Sequence, residues 1–378
     1  MKKYINPFIV KGYISKEYFC NREKELNILH RNTLNGCNTT LISPRKMGKT
    51  GLIFRYFEDL ADENTIQSIY FDVYSSSSLK DFIKLMAEAI LQKFPEKNVI
   101  GKRFMKFLKG LRPLISFDPL TGLPQIQIDY HSPQDVIYTL QGLFNFLEAQ
   151  QTPIVMAIDE FQQIGKYPNE NVEALLRTQI QQLKHIQFIF CGSNRSMMTE
   201  MFMNAKRPFF ASTRPLSLDK IDNADYETFI KIFFESDKRQ IHDEALKAIL
   251  DWTKTHTFYT QNLCNILFSM KTNIIDIQVV KNAMAHILNE NESYFFQYRQ
   301  LLTPAQWNYL IAVAKENEVS QITAQDFISK YNIGTPANSK RILNSLIEKE
   351  LILENKSQEK VVYQIYDVFF SRWLEAKY

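Results

Sequence analysis

The chain has 378 residues, which at about 100 to 200 residues per domain gives two or three domains rather than one core. With 45% apolar and 23% charged residues it falls among globular chains, which excludes disorder and fibrous repeats. Lysine and arginine number 45 against 41 acidic residues, and a net charge of +4 is too small to attract a polyanion without local clustering.

The first 215 residues alternate between helical and strand patterns. A helix expected over 22–35 leads into the apolar TTLIS, then a helix over 49–62, the strand IQSIYFDVY and a helix over 79–94. The segment LISFDPLTGLPQIQID reads as a hairpin, two alternating runs about a Pro and Gly turn, and as an excursion from the sheet. A helix over 134–150 follows, then the buried run PIVMAI, a helix over 169–184 and a second buried run, IQFIFCG. This is βαβα order, the pattern of a parallel sheet covered by helices.

From 216 to 298 helical spacing takes over, in ADYETFIKIFFES, DEALKAILDWTK and QVVKNAMAHILNE, which predicts a helical lid. From 299 to 378 the pattern is three short helices followed by LILEN and VVYQIY, two strands about a polar turn, the outline of a winged helix. No stretch of 18 apolar residues occurs, and Cys20, Cys37, Cys191 and Cys264 form no CxxC pair. The expectation is a soluble, cytoplasmic protein in a reducing compartment, with no membrane contact.

After TTLI come Ser43, Pro44, Arg45, Lys46, Met47, Gly48, Lys49 and Thr50, then a helix. This matches the phosphate loop GxxxxGK[ST] except that Ser43 stands in place of the first glycine. Such a loop turns backbone N–H groups inward at phosphate oxygens, and the following helix N-terminus adds positive potential. Gly48 permits close approach, Lys49 reaches the β and γ phosphates, and the Thr50 hydroxyl ligates Mg²⁺. By composition alone GK[ST] arises in about one chain of this size in five, so a second signal is needed.

PIVMAI supplies it by ending in Asp159 and Glu160. Alternation at a strand end sends the two carboxylates different ways, so Asp159 joins Thr50 on the metal while Glu160 faces an attacking water as catalytic base. An isolated pair of strand-end acids would be solvated surface, but a buried strand here and a strand-loop-helix context at the loop favour a nucleotide site. At the end of IQFIFCG, either Ser193 or Asn194 is placed near the γ phosphate; Asn194 is the catalytic candidate, and it equally suits a turn. No HxxxH, HExxH or GxSxG spacing competes.

FCNREKEL, SPRKMGKT, MAIDEFQ, FCGSN, HTFYTQ and the terminal YQIYDVFFSRWL together resemble the archaeal-type P-loop ATPases that also occur in bacteria, related to the AAA+ and STAND groups. The resemblance spans essentially the whole chain. It implies an α/β P-loop NTPase parallel sheet with a helical lid and a C-terminal winged-helix domain, ATP and Mg²⁺ as cofactors, and adenine contacts along Phe19 to Leu26, Phe19 and Arg22 among them. Arg22 with Glu23 equally suits a first-turn helix pair. The family's arginine after the sensor strand is replaced here by Ser212, leaving Arg207 or Arg214 as possible fingers or as solvated bases. Its lid turn appears as Thr255 to Gln261 without Gly and Pro, so His256 and Gln261 read either as nucleotide contacts or as packing.

Residues 301–378 carry nine basic and nine acidic side chains. A neutral winged helix is a poor duplex binder unless Lys340, Arg341, Lys356 and Lys360 share one face, so a protein partner is favoured over DNA. The expected function is an ATP-binding and ATP-hydrolysing P-loop ATPase acting as a nucleotide-dependent conformational switch. The alternatives are an ATP-licensed, initiator-like or mobile-element-linked DNA-binding protein and a nucleotide-bound scaffold with negligible turnover; an oligomer suits any of them.

Overall fold

The strand patterns read from the sequence become one parallel sheet in a computed structural model, which describes residues 6–110, 113–168, 171–356 and 360–378. Two compact units emerge: residues 11–220, and residues 221–378 together with the first ten.

In residues 11–220 the elements follow in the order α1 (Glu23–Leu34), β1 (Thr39–Ile42), α2 (Lys49–Glu63), β2 (Gln67–Asp72), α3 (Leu79–Lys93) and α4 (Val99–Lys109). Then come the hairpin β3 (Pro113–Phe117) and β4 (Pro124–Ile128), α5 (Pro133–Glu148), β5 (Ile154–Asp159), α6 (Val172–Ile180), β6 (Ile186–Gly192), α7 (Arg195–Met203) and β7 (Arg214–Ser217). The central sheet is parallel throughout and ordered β2-β5-β6-β1-β7. Strand β6 therefore lies between the strand that precedes the phosphate loop and the strand that ends in Asp159. The buried strands β1 and β5 carry their apolar side chains into two clusters, one under α1 and α2, the other under α3, α5 and α6.

Most helices begin where local chemistry says they should. Ser78 Oγ accepts the Asp81 N–H at the start of α3, and Ser132 with Asp135 forms a capping box at α5. Three features depart from the sequence expectation. Helix α4 fills residues 99–109, which the sequence reading passed over. Strand β7, paired with β1, runs across residue 215, where strand structure was expected to have ended. Helix α6 is shorter than expected over 169–184, and residues 169 and 170 lie outside the described set.

In the second unit, α8 (Asn223–Ser236), α9 (Asp243–Thr253) and α10 (Thr257–Ser269) are accompanied by a two-residue parallel pair, β8 (Gln240–Ile241) with β9 (Ile274–Ile275). Phe8 is fully buried against the rings of Phe229, Phe233, Phe234 and Phe268, which fixes the N-terminal segment to these helices. Helix α11 (Ile277–Leu301) continues through residue 298, so the expected lid and winged helix are joined by one helix rather than by a linker.

After it come α12 (Pro304–Glu316), α13 (Gln325–Tyr331), α14 (Pro336–Glu348), the antiparallel pair β10 (Ile352–Lys356) and β11 (Val361–Ile365), and α15 (Val368–Lys377). The terminal aromatic residues form the amphipathic helix α15, where Phe370 and Trp373 pack on Phe295 and Trp307. These rings form a core edge.

Candidate functional site

Strand β1 ends at Ile42, and the chain crosses from Ser43 to Gly48 before α2 begins at Lys49. Lys46 (φ 64°) and Gly48 (φ 95°) both sit in the left-handed region, the turn that lets successive N–H groups converge. Ser43 is fully buried, and its hydroxyl donates to the Pro44 carbonyl at 3.0 Å, so a serine serves in place of the usual glycine by bonding within its own loop. Lys49 is only 7% exposed, and among the described hydrogen bonds its ammonium has one acceptor, Ser43 O at 3.4 Å. A buried cation so thinly compensated is costly unless an anion joins it. Met47 is buried under the loop, while Arg45 and Lys46 are exposed.

The carboxylate of Asp159 lies at the other side of this pocket. Its Oδ2 accepts from the Thr50 hydroxyl at 2.9 Å and from the Tyr70 hydroxyl at 3.0 Å, and its Oδ1 accepts the Glu160 N–H at 3.0 Å. Burial, with Asp159 next in weight, pushes the Tyr70 phenol far above its usual range, so Tyr70 remains a donor. The donor set offered by Thr50 and Asp159 is one hydroxyl and one carboxylate, both oxygen, the kind that suits Mg²⁺.

Glu160 has left-handed backbone (φ 52°), and its carboxylate takes different side-chain partners from that of Asp159. Its Oε2 accepts from Ser193 Oγ at 2.7 Å and from Gln162 Nε2. The side-chain oxygen of Asn194 caps α7 by accepting the Met197 N–H at 3.0 Å. The alternation of β6 delivers Ser193 to the carboxylate and leaves Asn194 to the turn, the other role the sequence allowed for it.

Phe19 lies over the first turn of α2, within 3.4 Å of where a Cβ on Gly51 would stand, and its ring meets Tyr13 edge-on. Arg22 is 5% exposed and pairs through Nη1 with Glu25 Oε1 at 2.9 Å, not with Glu23; its Nη2 is buried without a hydrogen-bond partner. That leaves one guanidinium donor for a ligand atom.

The finger candidates are engaged: Arg207 pairs with Glu173, and Arg214 Nη1 reaches Asn32 Oδ1 at 3.4 Å. Gln261 is buried within α10, with no hydrogen-bond partner at its Oε1. His256 precedes the first turn of that helix without a side-chain capping bond.

Four residues of the site were not picked out from the sequence: Tyr70, Asp72, Gln162 and Gly192. Asp72 stands opposite Asp159 in the register of β2 with β5, and burial first, then the neighbouring Asp159 and Glu160, raises its carboxyl pKa. Gly192 leaves room for Gln162, since a Cβ there would stand 2.3 Å from Gln162 Oε1.

The sequence pattern of the family described as "ATPase domain predominantly from Archaea" matches residues 19–262, and that of a "probable winged helix domain" matches residues 293–376. The chain belongs to this ATPase family. It is a P-loop ATPase with a C-terminal winged-helix domain.

Among solved structures it is similar to a Walker-type ATPase of Pyrococcus abyssi, with TM-score 0.66 and 16% identity over 97% of this chain and 99% of that one. It is also similar to the ORC2 protein of Aeropyrum pernix in its ADPNP and ADP complexes, with TM-score 0.60 and 16% identity over 98% of each chain. A third likeness is to the ORC1 protein of Aeropyrum pernix in complex with DNA, with TM-score 0.51 and 13% identity over 95% of this chain and 93% of that one. No curated protein matches the chain. Among the described residues no helix is long and apolar enough to cross a membrane.

Proposed function

We propose that this ATPase binds ATP with Mg²⁺ on the loop Ser43–Thr50, hydrolyses it with Glu160 as base, and uses the nucleotide state as a conformational switch. The observation that carries the site assignment is the convergence of Lys49, Thr50, Asp159 and Glu160 from β1, α2 and β5 at one end of the sheet. Backbone N–H groups of the loop and the α2 N-terminus cradle the phosphates, and Lys49 places its charge on the β and γ groups. Thr50 and Asp159 would hold Mg²⁺, which when bound would supply positive charge to offset that of the phosphates. Phe19 lies beside the adenine, and the spare donor of Arg22 serves it.

Glu160 takes the proton of the water that attacks the γ phosphate. Ser193 and Gln162 both bond its Oε2, which leaves Oε1 to accept that proton. Of the pair Ser193 and Asn194, the bond to Glu160 favours Ser193 as the polar residue that serves the base.

The switch reading rests on chain order. The division between the two units falls after Lys220, three residues past β7, which is paired directly with the phosphate-loop strand β1. A change of nucleotide therefore acts on the sheet position from which the second unit departs. Energy transfer between dyes placed one on each unit tests this. The efficiency should differ between the ADP state and the state with a non-hydrolysable ATP analogue, and equal efficiencies would contradict a switch.

A second reading, an ATP-licensed DNA-binding protein, is favoured by the likeness to a protein solved with DNA. The even charge balance of residues 301–378 weighs against the winged helix as its docking face.

A further inference from the structure

Helix α4 has the sequence VIGKRFMKFLK, with four basic residues and no acidic one. At 100° per residue, Lys102, Lys106 and Lys109 fall within about 60° of one another and Arg103 extends the arc to about 120°. All four are exposed, while Gly101, Phe104 and Leu108 on the opposite side are buried. Among the described ion pairs none involves these four, and Arg103 has only a 3.5 Å contact to Gln150 Oε1. The wider segment 97–131 holds six basic residues against two acidic ones, a surplus of four that equals the net charge of the whole chain. The rest of the protein is therefore balanced, and the positive charge is concentrated on this insertion between α3 and α5.

We infer that the solvent face of α4 is a docking surface for the phosphodiester backbone of nucleic acid. The argument is charge complementarity: four unpaired cations along about 10 Å of one rigid helix can each neutralise a phosphate and release its condensed counterion. Phosphate carries the same charge at every position of the backbone, so contacts of this kind are tolerant of sequence. A bilayer surface is the less suitable partner, because Val99 is the one exposed apolar side chain of α4, too little to anchor the helix in the acyl region, while Phe104 and Leu108 are buried in the core. The winged helix, at nine basic to nine acidic residues, lacks the corresponding excess.

Fluorescence anisotropy of the full chain with labelled single-stranded and duplex oligonucleotides of about 30 nucleotides, titrated from 50 to 200 mM NaCl, tests the proposal. Its single-strand and duplex arms show which form of backbone is taken. Four contacts predict a slope of log K against log salt of about −3 to −4. Lys102→Gln, Arg103→Gln, Lys106→Gln and Lys109→Gln together should weaken binding at least about tenfold at 100 mM salt and bring the slope near zero, with ATP affinity unchanged. Should that fourfold variant fail to fold, Lys102→Gln with Lys106→Gln should reduce the slope by about half. Lys340→Gln with Arg341→Gln on α14 should leave binding within about twofold of the parent. Parent-like binding by the α4 variants, loss of binding in the α14 variant, or binding to phosphatidylserine vesicles without binding to either oligonucleotide would each overturn the proposal.

Discussion

Thr50 and Asp159, 109 residues apart in the chain, are joined by a 2.9 Å hydrogen bond from hydroxyl to carboxylate. The bond ties the first turn of α2 to the end of β5 and presents two oxygen donors on one side of the phosphate loop. Thr50 and Tyr70 both donate to the same carboxylate oxygen, so two hydroxyls fix the position of Asp159. Asp159→Asn should keep the fold and lose the increment in ATP affinity that added Mg²⁺ gives the parent. Calorimetric titration with and without 5 mM magnesium, a working concentration of about that order for phosphate-bound Mg²⁺, measures it.

Lys49→Ala removes a buried ammonium whose one described acceptor is 3.4 Å away. ATP binding should fall below detection, while the thermal midpoint without nucleotide should equal or exceed that of the parent, because a poorly compensated charge has left the interior. Calorimetry and a thermal melt read the two effects separately.

Much of this site was legible in the sequence because it is built from local pattern. A loop between an apolar strand and a helix, and acids at the end of a continuous apolar run, are both read along the chain. What was not legible depends on which strands become neighbours. Tyr70 and Asp72 reach the site only because β2 pairs with β5 in the register Asp72 to Asp159, and sequence spacing carries no such information. The difference between Ser193 and Asn194 lies in the step from β6, which ends at Gly192, to α7, whose N-cap is Asn194. Strand β7 was missed because RPLS is four residues long, contains proline and lies at the sheet edge, where a missing N–H is tolerated. The pair of Arg22 with Glu23, one of two roles the sequence allows, is replaced by an i,i+3 pair of Arg22 with Glu25.

Gln162→Met keeps much of the side-chain volume but removes the amide that bonds Glu160 Oε2. Turnover should drop by about tenfold with ATP affinity unchanged, the cost of loosening one charge-assisted hydrogen bond to the base. In a Glu160→Gln background the same substitution should have no further effect on turnover, a non-additivity that steady-state kinetics on the double variant would reveal.

Gly192→Ala places a methyl group 2.3 Å from Gln162 Oε1 and 2.5 Å from Met198 Cγ. Those side chains must move, which should destabilise the fold by about 1–3 kcal/mol and lower turnover in parallel with Gln162→Met. Urea denaturation and a turnover assay would show the two effects together.

Glu88 accepts the Ile126 N–H at 2.8 Å, and burial raises its carboxyl pKa above the usual 4.5 despite that bond. A raised acid binds protons more tightly in the folded state, so its contribution to stability is most favourable below 4.5 and declines as pH rises through the folded value. Glu88→Gln removes this dependence. Relative to the parent, the variant should therefore gain stability between pH 4 and pH 7 in urea melts, a rise of about the sign and range that linkage prescribes.

The central claim is that Glu160 is the base of an ATPase whose nucleotide is held by Lys49, Thr50 and Asp159. Glu160→Gln tests it most directly, with ATP affinity measured by calorimetry and phosphate release measured on the same preparation. Affinity should equal that of the parent and turnover should fall at least about a hundredfold, since the amide keeps the shape of the carboxylate and loses its basicity. Turnover equal to that of the parent would contradict it.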